Sequence, residues 1–215
     1  MSPDATPGPL ATMTIDSFLD LLASPSPTPG GGGIAALTGA MSAGLLSMVC
    51  NLTIGKERYA DVQEEVRQLL AETERLRSEL LTLVDEDARA FNRIMEGYRL
   101  PKGSEEEKRV RTAQIQEATI EASRVPLEIA RRCARLIELA ELAARTTNVQ
   151  AIGDVAMAAY LAEGAIRGAV INIHINLRSV KDQSAVRHLK EEAEALLPGL
   201  DDRVAEAIEK GMARL

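Results

Sequence analysis

Two aspartates lie in segments whose pattern is otherwise apolar, and each carboxylate could move a proton. Asp87 falls in a helical stripe with Val84 and Phe91, at a position where the spacing predicts an apolar side chain. Burial of a carboxylate costs free energy unless the group is paired or its pKa rises. Asp87 is therefore either a paired structural carboxylate or a functional one.

Asp154 opens a second candidate group, on a long apolar segment that the pattern predicts to be helical. Backbone dipoles favour a negative charge near a helix N-terminus, so a capping role is one interpretation of this residue. Asn172 follows about five helical turns later on a similar face, and Asn176 lies one turn further. The small residues between these polar ends form either a helix-packing seam or the floor of a groove for a flat ligand.

A third group is the uncharged segment that follows the glycines at 30–33 and ends near Asn51 and Lys56. Small residues recur on one of its faces, which favours close packing against another helix. The glycine run is predicted to be a flexible loop whose free amides could face an anion. It lacks the Walker lysine and the Rossmann strand context, so it does not indicate a nucleotide site.

Other catalytic signatures are missing from the sequence. His174 and His188 are its two histidines, and neither belongs to a Glu-x-x-His pair of the kind that holds metal in helical bundles. The chain also has no Cys-His or Gly-x-Ser-x-Gly nucleophile signature. We therefore expect no metal and no other cofactor, and the sequence does not favour covalent catalysis.

The elements that must position these residues are predicted to be helices. Aromatic residues make up 2% of the chain, Ala, Leu and Glu are abundant, and no alternating strand pattern occurs. Ser104 and Glu107 have the spacing of a capping box, while Pro126 would kink one helix or begin a new one. We expect a loose tail at 1–13 and a single all-α domain at 14–215, a bundle of long amphipathic and buried helices. Two helices that are apolar almost all round also predict a homodimer.

Charge and cysteine content restrict the partners and the compartment. The net charge of −7 is spread over stretches of mixed sign, so no basic face indicates nucleic acid. Cys50 and Cys133 lie far apart, which favours buried thiols in the cytoplasm over a disulfide. Residues 34–54 are uncharged and long enough to span a membrane, but their polar and small residues favour a buried helix. A membrane-associated scaffold is the weaker alternative.

Several motifs together resemble one known family. They are PTPGGGGIAALTGAMSAGLLSMVCNLTIGK from Pro27, LVDEDARAFNRIMEGYRLPK from Leu83, NVQAIGDVAMAA from Asn148 and GAVINIHINL from Gly168. In this order and spacing they are similar to the cyclodeaminase and methenyltetrahydrofolate cyclohydrolase family. The resemblance implies a helical fold, homodimerisation and chemistry on a tetrahydrofolate that carries a one-carbon group.

The resemblance also implies roles for the candidate residues. It makes Asp87 and Asp154 the candidates for proton transfer, because both family reactions pass through a tetrahedral carbon between two nitrogens. Lys56 and Lys102 match the GK and LPK positions and would bind the anionic glutamate tail. The side-chain amides that could hydrogen-bond the pterin are those of Asn51, Asn172 and Asn176.

This chain departs from the family pattern at four positions. The common serine after the glycine run is Gly33, the serine before Asp154 is Gly153, and the asparagine-rich turn has Val149 and Gln150. These changes do not affect the expected fold, but they leave open whether the chain is an enzyme or a non-catalytic folate-binding module. We predict a methenyltetrahydrofolate cyclohydrolase, since no formiminotransferase domain accompanies the segment. The alternatives are a formiminotetrahydrofolate cyclodeaminase served by a separate formiminotransferase, and a helical module that binds folate without turning it over.

Overall fold

The protein is a helical bundle in its computed structural model, which describes residues 9–215. Within this range seven α-helices follow one another and no strand is present, so the predicted all-α class is confirmed. The helices are α1 (Ile15–Leu22), α2 (Gly31–Asn51), α3 (Gln63–Arg99), α4 (Glu105–Thr146), α5 (Ile152–Leu177), α6 (Gln183–Glu194) and α7 (Leu200–Met212).

Four of these helices surround the core. α2 packs against α3 and α5, and α4 packs against the same two helices, while α6 and α7 cover α4 and α5 from outside. Leu46, Leu80, Leu136 and Ile166, one from each helix of the ring, are completely buried. The apolar periodicity of the sequence thus positions one continuous core.

α2 is apolar almost all round because it lies within this ring. By length and composition it could cross a membrane, with a mean hydropathy of 1.7. Yet 61% of that segment is buried inside the bundle, as expected for the core helix of a folded domain. Gly39 makes the packing close: a Cβ there would lie 2.6 Å from Cys133 Sγ. Burial raises the pKa of the Cys133 thiol, and likewise of Cys50, to about 12, so both are the inert thiols that we expected.

α3 and α4 form a hairpin that extends beyond the ends of their neighbours. The predicted capping box begins α4: Ser104 Oγ accepts from the Glu107 N–H, and the Glu107 carboxylate accepts from the Ser104 N–H. Pro126 neither ends α4 nor begins a new helix, since one continuous helix runs through it. We refer below to residues 88–121, which comprise the end of α3, the start of α4 and their connection, as the α3–α4 hairpin.

Two local predictions need comment. The glycines at 31–33 form the first turn of α2, which corrects the expected flexible loop. Residues 1–8 of the predicted tail lie outside the described residues. The segment that follows packs onto α3, where Leu10 is buried and its N–H donates to Asp85 Oδ1 at 2.6 Å.

Candidate active site

A cavity of 230 Å³ opens where α2 begins and α5 ends, at one end of the four-helix ring. All four helices of the ring contribute to its wall. The lining residues are Pro27, Thr28, Gly30, Gly31, Gly32, Asp87, Ala90, Phe91, Ile94, Ala122, Asn172 and Asn176. Three residues of the predicted site, Asp87, Asn172 and Asn176, therefore meet in one place.

Asp87 is the ionisable residue in this wall. Its Oδ2 accepts a hydrogen bond of 2.9 Å from the N–H of Gly33, in the first turn of α2. This amide has no partner within its own helix, so the carboxylate of α3 caps α2. Burial raises the pKa of Asp87 above its usual value, and the hydrogen bond from Gly33 opposes that rise. Asp87 is thus a partly desolvated carboxylate that holds a proton more readily than an exposed aspartate.

The glycines allow Asp87 and Asn172 to approach the backbone of α2. A Cβ on Gly32 would lie 2.6 Å from Asp87 Cγ, and one on Gly31 would lie 3.1 Å from Asn172 Nδ2. At Gly33 a Cβ would meet only ordinary contacts, the nearest at 3.7 Å. A side chain at Gly32 would therefore displace Asp87, and one at Gly31 would require a small shift of Asn172, whereas the departure from the family pattern at Gly33 is sterically permissive.

Asn172 and Asn176 offer hydrogen-bond acceptors to the cavity. Asn172 Nδ2 donates to the Gly168 carbonyl at 2.8 Å, and Asn176 Nδ2 donates to the Ala122 carbonyl at 3.4 Å. Neither Oδ1 atom accepts a hydrogen bond from any residue in the described range. These oxygens can receive donors from a bound heterocycle such as a pterin.

The other predicted site residues lie elsewhere. Asp154 is half-buried in the first turn of α5, about 27 Å from Asn172 along the helix. Asn51 is exposed at the opposite end of α2 and Lys56 just beyond it, and Lys102 is exposed at the tip of the α3–α4 hairpin. Within one chain, none of these four lines the cavity.

The turn before α5 is held by contacts that belong to the fold. Tyr59 Oη accepts from the N–H of Val149 at 3.1 Å, and Thr53 Oγ1 accepts from the N–H of Asn148 at 2.8 Å. The side chain of Asn148 caps the same turn, because its Oδ1 accepts from the Gln150 N–H at 3.2 Å.

Several residues of the cavity wall were not predicted as site residues. Phe91 and Ile94 carry a usable signal, because they share the helical stripe of Asp87 and a stripe with one polar member can face a ligand. Ala122, Pro27 and Thr28 carry no such signal. They reach the cavity through contacts between distant segments, which periodicity does not reveal.

The arrangement suits proton transfer on a flat, polar ligand. The wall joins one carboxylate of raised pKa to amide acceptors and to the apolar side chains of Phe91 and Ile94. No group of three or more His, Cys, Asp or Glu residues with metal-binding geometry occurs within residues 9–215. A buried carboxylate can accept a proton from water, return it to a leaving nitrogen and stabilise a neighbouring cation.

One family model and two relatives identify the same family. The family model described as formiminotransferase-cyclodeaminase matches residues 14–195. The chain is 43% identical over 198 residues to the methenyltetrahydrofolate cyclohydrolase of Methylorubrum extorquens, covering 91% of this chain and 95% of that protein. It is 32% identical to the formimidoyltransferase-cyclodeaminase of Sus scrofa, covering 92% of this chain but 37% of that longer protein.

The fold comparison agrees. A crystal structure of formiminotetrahydrofolate cyclodeaminase from Thermotoga maritima superposes with a TM-score of 0.84 at 28% identity, covering 94% of this chain and 98% of the other. The resemblance drawn from the sequence motifs is thus confirmed. The chain belongs to the formiminotransferase-cyclodeaminase family.

Proposed function

We propose that this chain hydrolyses methenyltetrahydrofolate to formyltetrahydrofolate. The observation that carries the proposal is the Asp87 carboxylate, which lines the cavity, caps α2 through Gly33 and has a raised pKa because of burial. The relative that is 43% identical over nearly its whole length is named for this reaction, which supports the choice.

The chemistry follows from the position of this carboxylate. The substrate has a cationic carbon between two nitrogens, and the negative charge of Asp87 stabilises that centre. Water adds to the carbon while Asp87 accepts one of its protons. The tetrahedral carbon then loses its hydroxyl proton to solvent and one C–N bond breaks, as Asp87 returns its proton to the departing nitrogen. One water is consumed and one proton is released overall.

The remaining parts of the proposal concern ligands and compartment. Hydrolysis changes no oxidation state, so the reaction requires no redox cofactor, and we propose that the folate alone occupies the site. Oδ1 of Asn172 and of Asn176 would accept from the pterin N–H groups. The two unpaired, buried thiols suit the reducing conditions of the cytoplasm, where we place the reaction.

The test follows the absorbance of methenyltetrahydrofolate with purified protein against the uncatalysed decay in the same buffer. Acceleration that disappears in Asp87→Asn supports hydrolysis at this cavity. Folate binding without acceleration would favour the non-catalytic folate-binding module. Absence of both binding and turnover would refute the proposal.

Cyclodeaminase activity is the second candidate, because a solved structure that superposes on 94% of this chain is named for it. In that reaction the substrate's own nitrogen closes on the formimino carbon, and Asp87 would protonate the departing ammonia. A separate formiminotransferase would then supply the substrate. Formation of methenyltetrahydrofolate from formiminotetrahydrofolate, measured as a rise in the methenyltetrahydrofolate absorbance used above, distinguishes the two reactions.

A second copy of the chain is the partner that we propose for α2 and α5. Their outward surface, the α2–α5 face, carries exposed apolar side chains at helical spacing. These are Met41, Met48 and Leu52 on α2, and Met157, Tyr160, Ile171 and Ile175 on α5. Exposed apolar side chains grouped in this way favour association, and a two-fold axis would let one copy cover the other.

A further inference from the structure

The cavity is too small for a whole folate. Its 230 Å³ is below the roughly 300 Å³ at which pockets for drug-sized ligands begin. The pterin and its one-carbon bridge can occupy it, while the benzoyl and glutamate parts must continue outside. Phe91, Ile94 and Ala122 form the wall on the side of the α3–α4 hairpin, so the hairpin offers a continuation of the site.

Tyr98 and Arg111 lie on the same faces of α3 and α4 as the cavity wall. Tyr98 follows Asp87 by eleven residues, and Arg111 precedes Ala122 by eleven. Eleven residues are about three helical turns, so each side chain projects in the direction of its cavity counterpart, about 16 Å further along the hairpin.

Arg111 is fixed in place but has no acidic partner. Its guanidinium lies over the Tyr98 ring, 5.4 Å from the centroid, and Nη2 donates to the Tyr98 carbonyl at 3.2 Å. No ion pair joins Arg111 to any residue within 9–215, although most arginines further along α4 are paired with glutamates. The nearby Glu107 is occupied by its bonds to the N–H groups of Gly103 and Ser104.

We infer that Arg111, held by Tyr98, binds the glutamate carboxylate of the folate substrate. The inference rests on the proposed function and assigns a binding residue to the same site. With the one-carbon bridge near Asp87, standard bond lengths place the glutamate carboxylates roughly 12 Å from it. The Arg111 guanidinium lies over the ring of Tyr98, which is about 16 Å from Asp87 along α3, so it faces a ligand that continues from the cavity along the hairpin. A planar guanidinium matches a carboxylate through two parallel hydrogen bonds.

The test uses methenyltetrahydrofolate and methenyltetrahydropteroate, which lacks the glutamate. We expect the wild-type protein to prefer the glutamylated substrate, and Arg111→Ala to raise its KM roughly 10- to 100-fold with little change in kcat. The same variant should leave the KM for the pteroate compound unchanged. Arg93→Ala is the control, since Arg93, like Arg111, has no ion pair in the described range, but it is exposed and lies about a third of a turn around α3 from the Asp87 stripe.

Two results would overturn the inference. One is an equal KM of the wild-type protein for both substrates, and the other is an equal rise in KM for both substrates in Arg111→Ala. Should Arg111→Ala not fold, Arg111→Lys keeps the charge without the planar fork, and we expect an intermediate KM for the glutamylated substrate alone. If the wild-type protein turns over neither substrate, the Kd values of 5-formyltetrahydrofolate and its pteroate analogue replace KM. A glutamate preference that is lost in Arg111→Ala would then support the inference although the proposed reaction had failed.

Discussion

At the scale of single residues, Asp87 decides whether the cavity is catalytic. A carboxamide has nearly the same shape and still accepts the Gly33 N–H through its oxygen, but it cannot carry a proton between water and nitrogen. We expect Asp87→Asn to lower kcat about 10²- to 10⁴-fold in the methenyltetrahydrofolate assay. Glu86→Gln, an exposed neighbour, is the control and should retain the wild-type rate.

The companion variant is Asp154→Asn, since the family resemblance made both aspartates candidates for proton transfer. Asp154 lies about 27 Å from Asn172 along α5, so within one chain it has no access to the cavity. A wild-type rate in Asp87→Asn would contradict the proposed mechanism. A large loss confined to Asp154→Asn would move the chemistry to the other end of the ring.

Asp87 also has a predictable effect on stability. A carboxyl whose pKa is raised by folding binds more protons in the folded than in the unfolded state, so the stability falls as the pH rises through the window between the two pKa values. Asp87→Asn removes this loss. We expect its Tm at neutral pH to equal or exceed that of the wild-type protein, and the two to converge below the ordinary aspartate pKa of 3.8.

Thermal unfolding followed by circular dichroism at several pH values measures this difference. Glu86→Gln, where no buried carboxyl is lost, should give no pH-dependent change in Tm. A Tm of Asp87→Asn well below that of the wild-type protein at neutral pH would indicate that the ionised carboxylate stabilises the fold, contrary to the direction of its pKa shift.

At the scale of elements, the first turn of α2 positions the carboxylate. A Cβ on Gly32 would overlap Asp87, whereas one on Gly33 meets its nearest atoms at 3.7 Å. We expect Gly32→Ala to displace the carboxylate and lower kcat about 100-fold. Gly33→Ala should stay close to the wild-type rate and, because alanine favours helix, be equally or more stable. Similar rates in both variants would show that the close contact between Asp87 and the backbone of Gly32 is not required for catalysis.

The elements were largely predictable because their signals are local. Ser104 with Glu107 marks the start of α4, and the stripe through Val84 and Phe91 marks α3, since capping and periodicity act within a few residues. The first turn of α2 was mispredicted for the opposite reason. Glycine disfavours helix by itself, and the acceptor that caps this turn is Asp87, 54 residues beyond Gly33.

The site was predictable only where a residue violates a local pattern. Asp87 interrupts an apolar stripe, and Asn172 interrupts another, so both could be singled out from the sequence. Lys56 and Asn51 were assigned through the resemblance, and the structure places them at the opposite end of α2, about 30 Å from Gly31. Which end of a helix meets which neighbour is set by the packing of the whole ring, and no short segment encodes it.

At the scale of the whole molecule, the α2–α5 face is the feature that a single chain leaves unexplained. Ile171 and Ile175 are each 59% exposed on a helix whose opposite side fills the core. Burial of the exposed part of such side chains against a second copy would contribute about 1–2 kcal/mol each. A charge introduced there would have to be desolvated in the dimer, at a cost that apolar neighbours cannot offset.

We therefore expect Ile171→Glu to convert a dimer into a folded monomer, measured as half the wild-type mass by light scattering after size-exclusion chromatography. Met212→Glu is the control, because Met212 is similarly exposed, at 55%, but lies on α7 away from the face. That variant should keep the wild-type mass. A monomeric wild-type protein would rule out the dimer. An Ile171→Glu variant that remains dimeric would show that the subunit interface lies elsewhere. The helical signal by circular dichroism separates dissociation from unfolding, since α5 stays packed on α2 and α4 within each copy.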